Sequence, residues 1–258
     1  MAKMSVTYFY PYEENLRLHY KAFDLLTETE YEMTHRGYRP VSIFHMVPEN
    51  FDKEMEKILN DGMFFLPIDR AKRYQGVATS YEITSSLTPE DSFVYGVIAR
   101  DLEDARAFKK AHVANDHVKM GELLGYPTCC TRFFSSTWPK FKDPIFELAC
   151  NTRRRVDPNY VVVREDNPLL RVHMRYFGFR VIPWFPCSTL CQESSKLVED
   201  WIETMRSIDE KTTNKIIEFL EMPSKWSLSK SQVIVEHPRF WGFSGSVNTS
   251  QKLEVQWG

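Results

Sequence analysis

Four of the five cysteines of this chain lie in two short pairs. Cys129 and Cys130 are adjacent within GELLGYPTCCTRFF, whereas Cys187 and Cys191 are four residues apart within WFPCSTLCQESS. Thiolates are ligands for soft metals and are also nucleophiles and redox groups. If the fold brings the two pairs together, they predict a four-thiolate metal or iron–sulfur site, or a redox dithiol system.

The residue types alone leave several interpretations open. An iron–sulfur cluster, in particular a [4Fe–4S] cluster, needs four thiolates, and the two pairs supply four. A structural zinc site also needs four ligands, but its usual Cys-x-x-Cys knuckle does not occur in the sequence. A redox dithiol would cycle as a disulfide, although adjacent cysteines form a strained bridge. The remaining interpretation is four buried cysteines without a ligand, as we expect for the fifth, Cys150.

Two helix starts are predicted to position the cysteine pairs. Each pair follows a proline and leads into a run with helical spacing, from Thr128 to Ser136 and from Ser188 to Arg206. Thr128 and Ser188 are the expected caps. Free amides and the helix dipole favour negative charge at a helix start, so both pairs are placed where thiolates are stabilised.

A histidine and an aspartate precede the first cysteine pair. We predict one helix from its N-cap Asp101 to its stop at Gly125, within which His112 and Asp116 are four residues apart and share a face. An aspartate in that position orients an imidazole, which predicts a catalytic proton-transfer pair or an additional ligand. The alternative is a hydrogen-bonded pair at the edge of the core.

The segment between the two cysteine pairs is rich in arginine. Residues 152–180 contain seven arginines, no lysine and three acidic residues. Guanidinium groups suit bidentate binding of phosphate or carboxylate, so Arg153, Arg154 and Arg155 are the candidate substrate-binding residues for an anionic small molecule or a nucleic acid. The alternative is a solvated basic surface.

Both cysteine motifs together resemble an uncharacterised prokaryotic domain family. Its marks are Leu-Gly-Tyr-Pro-x-Cys-Cys followed by aromatic residues, and then Pro-Cys-Ser-x-x-Cys. The similarity covers mainly residues 111–197 and lies in Leu124, Gly125, Tyr126, Pro127, Cys129, Cys130, Phe133, Phe134, Pro186, Cys187, Ser188 and Cys191. Members often have a histidine just before the second Pro-Cys, where this chain has Trp184 and Phe185. The resemblance implies a metal or iron–sulfur centre, and no particular reaction.

Composition narrows the class of protein. A length of 258 residues with 43% hydrophobic and 26% charged residues is typical of a globular protein with a sizeable core. The net charge of −2 does not favour nucleic acid or an anionic membrane as a partner of the whole surface. No secretory leader or membrane-spanning run is recognised, so we expect a cytoplasmic protein without a membrane partner. The oligomeric state is not predicted.

The elements predict an α+β fold in two parts. Residues 1–100 alternate strands and helices, with a helix over residues 14–34 and strands at VSIFHMV, MFFLPI, VATSYEITSS and SFVYGVIA. Residues 101–258 are predicted to be mainly helical, with a β-like tail at QVIVEHPRFWGFSGS. The mixed N-terminal unit would pack on the cysteine-bearing part.

These patterns predict a [4Fe–4S] protein, with Cys129, Cys130, Cys187 and Cys191 as ligands. Its activity would be redox chemistry or sulfur transfer on an anionic substrate, as an oxidoreductase or a transferase. One alternative is a non-catalytic module stabilised by zinc that binds nucleic acid or protein. The other is a metal-free thiol oxidoreductase.

Overall fold

The fold is α+β, as the sequence predicts. A computed structural model describes residues 5–7, 13–72, 92–141, 148, 151–152, 154–157, 160–163, 167–177, 179–222, 224–227, 232–237, 240–245 and 254–257. The helices are α1 Glu13–His35, α2 Phe51–Asn60, α3 Leu102–Val113, α4 His117–Leu123, α5 Thr128–Phe141 and α6 Gln192–Leu220. The strands are β1 Ser5–Thr7, β2 Val41–Met46, β3 Phe64–Lys72, β4 Ser92–Ala99, β5 Arg154–Asp157, β6 Tyr160–Val163, β7 Ser224–Ser227, β8 Gln232–His237, β9 Phe240–Gly245 and β10 Glu254–Trp257. Short 3-10 helices occupy Pro48–Asn50, Pro168–Leu170 and Val172–Phe177.

The chain folds into two compact units. The middle unit contains residues 27–131, and the terminal unit contains residues 1–26 together with residues 132–258. The boundary at residue 131 falls in the first turn of α5, which continues as one helix to Phe141. The predicted division at residue 100 stays a prediction, and the predicted strand at residues 77–86 lies outside the described residues.

The middle unit is built on a three-stranded antiparallel sheet in the order β2-β4-β3. Neighbouring residues of the central strand β4 point to opposite faces. Val97 packs with Phe108 and Leu123 on the side of α3 and α4, whereas Ile98 packs with Tyr31 and Ile58 on the side of α1 and α2. This sheet therefore buries both faces, which explains why β4 reads as an almost continuous apolar run.

The predicted helix over residues 101–125 is two helices, which corrects the sequence analysis. Asp101 caps α3 as expected, since its side chain accepts from Glu103 N at 2.8 Å. The helix then breaks at Asn115, whose φ of +53° is in the left-handed region that asparagine tolerates. Asp116 caps α4 by accepting from Lys119 N at 3.0 Å. The predicted stop at Gly125 is confirmed by its φ of +72°.

The terminal unit contains more β-structure than predicted. Its described strands form a seven-stranded sheet in the order β1-β9-β8-β7-β10-β6-β5. The predicted tail forms the antiparallel pair β8–β9, and β1 adds to β9 at the sheet edge. Only β6 and β10 pair in parallel within this described sheet. Most of these strands have four residues, so their local sequence patterns are weak.

The long helix α6 carries much of the terminal unit's core. It begins at Gln192 and not at Ser188 as predicted, and it includes one non-helical residue, Asp209, with φ −147° and ψ 92°. The Asp209 carboxylate accepts from the backbone and the hydroxyl of Thr212, at 2.9 and 2.6 Å, and these bonds hold the pKa of Asp209 below its ordinary value. The helix is therefore kinked at Asp209 and continues to Leu220, beyond the predicted end at Arg206. Among the described residues, no helix has the length and apolarity needed to cross a membrane.

Candidate metal centre

The structure brings the two cysteine pairs together. The sulfur atoms of Cys129, Cys130, Cys187 and Cys191 all lie within 4.8 Å of one another, and we call these four residues the cysteine cluster. None of the four forms a disulfide bond, and Sγ of Cys129 is 3.8 Å from Sγ of Cys130. Cys130 and Cys191 are buried, Cys187 is half-buried and Cys129 is exposed. The predicted convergence of the pairs is therefore confirmed, whereas Cys150 lies outside the described residues.

The first turn of α5 holds the adjacent pair. The carbonyl of Pro127 accepts from Cys130 N at 2.9 Å and from Thr131 N at 3.0 Å, so Pro127 and not Thr128 precedes the helix as its cap. The buried Thr131 adds a hydroxyl bond of 3.2 Å to the same carbonyl. Thr131 also lies so close to Gly121 of α4 that no side chain fits between them. The start of α5 is thus fixed against the preceding helix.

The second pair lies on a short turn, residues 187–191, which we call the cysteine loop. The carbonyl of Ser188 accepts from Cys191 N at 3.2 Å, and its hydroxyl accepts from Leu190 N at 3.2 Å. Cys191 is itself the N-cap of α6, because its Sγ accepts from Ser194 N at 3.5 Å. Ser188 therefore stabilises the turn, and Cys191 caps α6 instead of the predicted Ser188.

Polar residues around the cysteine loop hold it in place. Asn151 Nδ2 donates to the carbonyl of Cys187 at 3.1 Å, and Thr189 N donates to Thr152 Oγ1 at 2.8 Å. The carbonyl of Thr189 accepts from Asn167 N at 3.1 Å. Because Thr152 and Thr189 are buried, the bond between them is shielded from water and restricts the loop strongly.

A stack of aromatic rings adjoins both cysteine segments in the sequence. Phe134, one helical turn after Cys130, lies 5.7 Å from Phe185 and 5.2 Å from Trp138 between ring centroids, with nearly parallel planes. The guanidinium carbon of Arg175 lies 4.1 Å from the centroid of Phe185. This arrangement adds cation–π and stacking energy to the packing of α5 against the segment before the cysteine loop.

The cysteine cluster can hold a metal ion. A tetrahedral ion with sulfur bonds of about 2.3 Å keeps its ligands about 3.8 Å apart, which equals the Cys129–Cys130 separation of 3.8 Å. The N-termini of α5 and α6 and the Ser194 amide present positive dipoles to the sulfur atoms, as four thiolates require. Donor type, number and spacing therefore agree with a soft metal.

The predicted histidine–aspartate pair has a different geometry from the one expected. Because the helix breaks at Asn115, His112 lies in the last turn of α3 while the exposed Asp116 caps α4. Burial lowers the pKa of His112, and the carboxylate that opposes this shift is Asp69. The imidazole lies 5.4 Å from the ring of Tyr95. The shared helical face is thus wrong, and the catalytic role of His112 and Asp116 stays a prediction.

Two arginines of the arginine-rich segment, Arg171 and Arg175, are buried and stabilise the fold. Arg171 is buried and donates from Nη1 to the carbonyls of Leu220 and Met222, which close the end of α6. Arg175 is buried against Phe185. For the predicted anion-binding residues, Arg153 lies outside the described residues, and Arg154 and Arg155 are described only as backbone of β5. Their role as ligands for an anion stays a prediction.

The sequence analysis missed the residues that support the cysteine cluster. Four of them carry a recognisable signal. Asn167 precedes a proline, and Asn151 and Thr152 are both residue types that cap helices. Ser194 follows Cys191 by three residues, which is the spacing between a cap and the amide that donates to it. None of these signals indicates which loop the residue will hold.

Comparison with known proteins identifies no relative of this chain. The chain matches no protein-family model, no curated protein and no solved structure. Fold and site together define an α+β protein with four cysteines placed to hold a metal ion.

Proposed function

We propose that the protein binds one tetrahedral metal ion, zinc, through the thiolates of the cysteine cluster. The observation that carries the proposal is the mutual approach of four sulfur atoms to within 4.8 Å. A [4Fe–4S] cluster places each thiolate on a different iron and so needs wider spacing than one shared ion. The 3.8 Å between Cys129 and Cys130 corresponds to the edge of a tetrahedron around a single ion.

In this function the chain supplies ligands from two segments distant in sequence. The first turn of α5 provides Cys129 and Cys130, and the cysteine loop provides Cys187 and Cys191. A zinc ion with four thiolates carries a net charge of about −2, which the helix starts and the Ser194 amide stabilise. When bound, the ion cross-links the two segments and adds its binding energy to folding. Recognition of a nucleic acid or protein by the stabilised module stays part of this proposal.

An iron–sulfur cluster is the second candidate. It is supported by the exposed side of the cysteine cluster, where Cys129 lies, since movement of this ligand outward would widen the site. The resemblance of both cysteine motifs to a family with an implied iron–sulfur centre favours it as well. In this candidate a [4Fe–4S] enzyme performs redox chemistry or sulfur transfer, with His112 and Asp116 in proton transfer and Arg153, Arg154 or Arg155 binding the anion.

A metal-free thiol oxidoreductase is the third candidate. It is supported by the reduced state of the four cysteines, which form no disulfide bond, and by the 3.8 Å between the adjacent sulfur atoms. A disulfide would then form and break within the cluster, with electrons exchanged with an external dithiol.

Anaerobic purification followed by analysis of zinc, iron and sulfide, with a visible spectrum, separates the candidates. We expect a colourless protein with one equivalent of zinc, and loss of that zinc in Cys130→Ser, Cys187→Ser and Cys191→Ser. Cys150→Ser is the control and should retain zinc. A brown protein containing iron and sulfide establishes the second candidate, and metal-free protein whose thiols cycle with dithiothreitol establishes the third.

A further inference from the structure

The members of the cysteine cluster differ sharply in access to solvent. Cys130 is 1% exposed and Cys191 is 7% exposed, whereas Cys129 belongs to the exposed residues. Structural zinc sites have four protein ligands, while catalytic zinc sites have three protein ligands and one position open to an outside ligand. In this cluster Cys130 and Cys191 are buried and Cys187 is half-buried, so Cys129 is the most accessible of the four sulfur ligands.

Hydrogen bonds hold the other three ligand residues in place. The Cys191 sulfur accepts from Ser194 N, the Cys187 carbonyl accepts from Asn151, and Cys130 N donates to Pro127 in the first turn of α5. Displacing Cys130 or Cys191 would disturb buried groups, which is costly, and displacing Cys187 would break its bond from Asn151. Displacing the Cys129 side chain moves an exposed group further into water.

A positive side chain lies beside the accessible ligand. Arg132 is three residues after Cys129 on α5, so the two share a helix face, and both are exposed. The start of the same helix contributes a partial positive charge at this position. A ligand that replaces Cys129 therefore meets a guanidinium group and the positive end of a helix dipole.

We propose, on the basis of the proposed four-thiolate centre, that Cys129 is an exchangeable ligand and that its position accepts the thiolate of a small anionic thiol. In the exchange, the metal–sulfur bond to Cys129 breaks and a metal–sulfur bond to the incoming thiol forms. The proton of the incoming thiol passes to the released Cys129 sulfur, so no oxidant or reductant is consumed. Arg132 binds the carboxylate of the incoming molecule.

The first test uses the full chain loaded with Co²⁺, whose absorption reports each bond to sulfur. Cys129→Ala should retain one equivalent of Co²⁺ with a weaker sulfur-to-metal band, while Cys191→Ala should lose most of its metal. Addition of mercaptoacetate to Cys129→Ala should restore the four-sulfur spectrum. Cys129→Ser provides a second variant of nearly native size.

The outcomes separate this inference from the proposed function. Wild-type protein that binds no Co²⁺ or Zn²⁺ overturns the proposed function and the exchange with it. Wild-type protein that binds metal, with Cys129→Ala and Cys129→Ser as depleted as Cys191→Ala, overturns the exchange alone. Retained metal that does not respond to mercaptoacetate also overturns it.

The second test concerns the anionic class of the ligand. In the Cys129→Ala background, dissociation constants of mercaptoacetate and 2-mercaptoethanol are measured with and without Arg132→Gln. We expect Arg132→Gln to weaken mercaptoacetate about threefold relative to 2-mercaptoethanol, in keeping with an exposed charge pair, and less so at high salt. Arg106→Gln, at an exposed arginine of α3, should leave the ratio unchanged. An unchanged ratio in Arg132→Gln overturns the role of Arg132 and the anionic class.

Discussion

The backbone N–H of Ser194 donates to the sulfur of Cys191 at 3.5 Å, so one of the four side chains of the cysteine cluster is also the N-cap of α6. The hydroxyl of Ser194 in turn accepts from Trp184 Nε1 at 3.0 Å. Ser194 is fully buried and Trp184 almost so. The position of the Cys191 sulfur in the cysteine cluster is thereby connected to the packing of the terminal unit's core.

Ser194→Ala should destabilise the fold by about 1–3 kcal/mol, because the buried indole N–H loses its acceptor. The amide that donates to Cys191 remains, so zinc affinity should fall much less than in a ligand variant. Thermal or urea unfolding of the zinc-loaded protein measures the first effect, and competition with a chromophoric chelator measures the second.

The matched control for this prediction is a double variant. Removing both partners of a buried hydrogen bond costs less than removing one, so Ser194→Ala with Trp184→Phe should lose less stability than the sum of the single changes. Strictly additive losses would show that the Trp184–Ser194 bond does not contribute.

Thr152→Val should loosen the cysteine loop without changing the volume of the side chain. The substitution removes the acceptor of Thr189 N, a buried donor, as well as the hydroxyl bond to Leu148 O. We expect a loss of about 1–3 kcal/mol in stability and of roughly tenfold or more in zinc affinity. Chelator competition on the full chain measures the affinity.

Thr152→Ser retains the hydroxyl and serves as the control for that experiment. Thr152→Ser should bind zinc more tightly than Thr152→Val and nearly as tightly as the wild type, because it keeps the hydroxyl and loses only a methyl group. If Thr152→Ser and Thr152→Val bind zinc equally weakly, packing and not the hydrogen bond to Thr189 positions the loop.

Features with a local signal were predictable from the sequence. Asp101 was predicted as a cap because a short carboxylate precedes a helical run, and Gly125 was predicted as a stop because glycine adopts positive φ. The cysteine pairs were predicted to meet because their residue type and spacing suit one centre. Each of these inferences depends on a few neighbouring residues.

Features that depend on distant residues were not predictable in the same way. The pairing of Val6 with Ser244, and of Val161 with Val255, joins short strands far apart in sequence. The break at Asn115 depends on one residue within an otherwise helical pattern. Cys191 as a cap was missed because its side chain was assigned only to metal binding, although a sulfur atom can also accept from an amide.

Gly121→Ala tests the contact that fixes the start of α5. A Cβ at this position would lie 2.6 Å from the hydroxyl of the buried Thr131, one residue after Cys130. Alanine favours a helix over glycine by about 1 kcal/mol, but overpacking costs about 1–3 kcal/mol. We therefore expect net destabilisation and weaker zinc binding, measured by urea unfolding and chelator competition.

The second substitution Thr131→Ala removes the atoms that clash with residue 121. Two losses of stability are compared: that caused by Gly121→Ala in the wild type, and that caused by Gly121→Ala in the Thr131→Ala variant. The second loss should therefore be smaller than the first. Equal effects of Gly121→Ala in both backgrounds would mean that Thr131 moves aside freely.

His45 should make the stability of the middle unit sensitive to acid. Burial against Phe93 and Tyr95 lowers its pKa from 6.5 to about 4, so His45 is protonated at a lower pH in the folded chain than in the unfolded chain. The stabilisation is complete above pH 6.5 and is lost as the pH falls from 6.5 towards 4, by up to about 3 kcal/mol.

In His45→Phe the ring packing is retained without the titrating group, so urea unfolding between pH 7 and pH 4 should show a smaller loss of stability. His112, whose burial acts in the same direction, and the cysteine cluster are present in both proteins, so their acid responses cancel in the difference. An equal loss of stability in wild type and His45→Phe would contradict the burial of His45 in its neutral form.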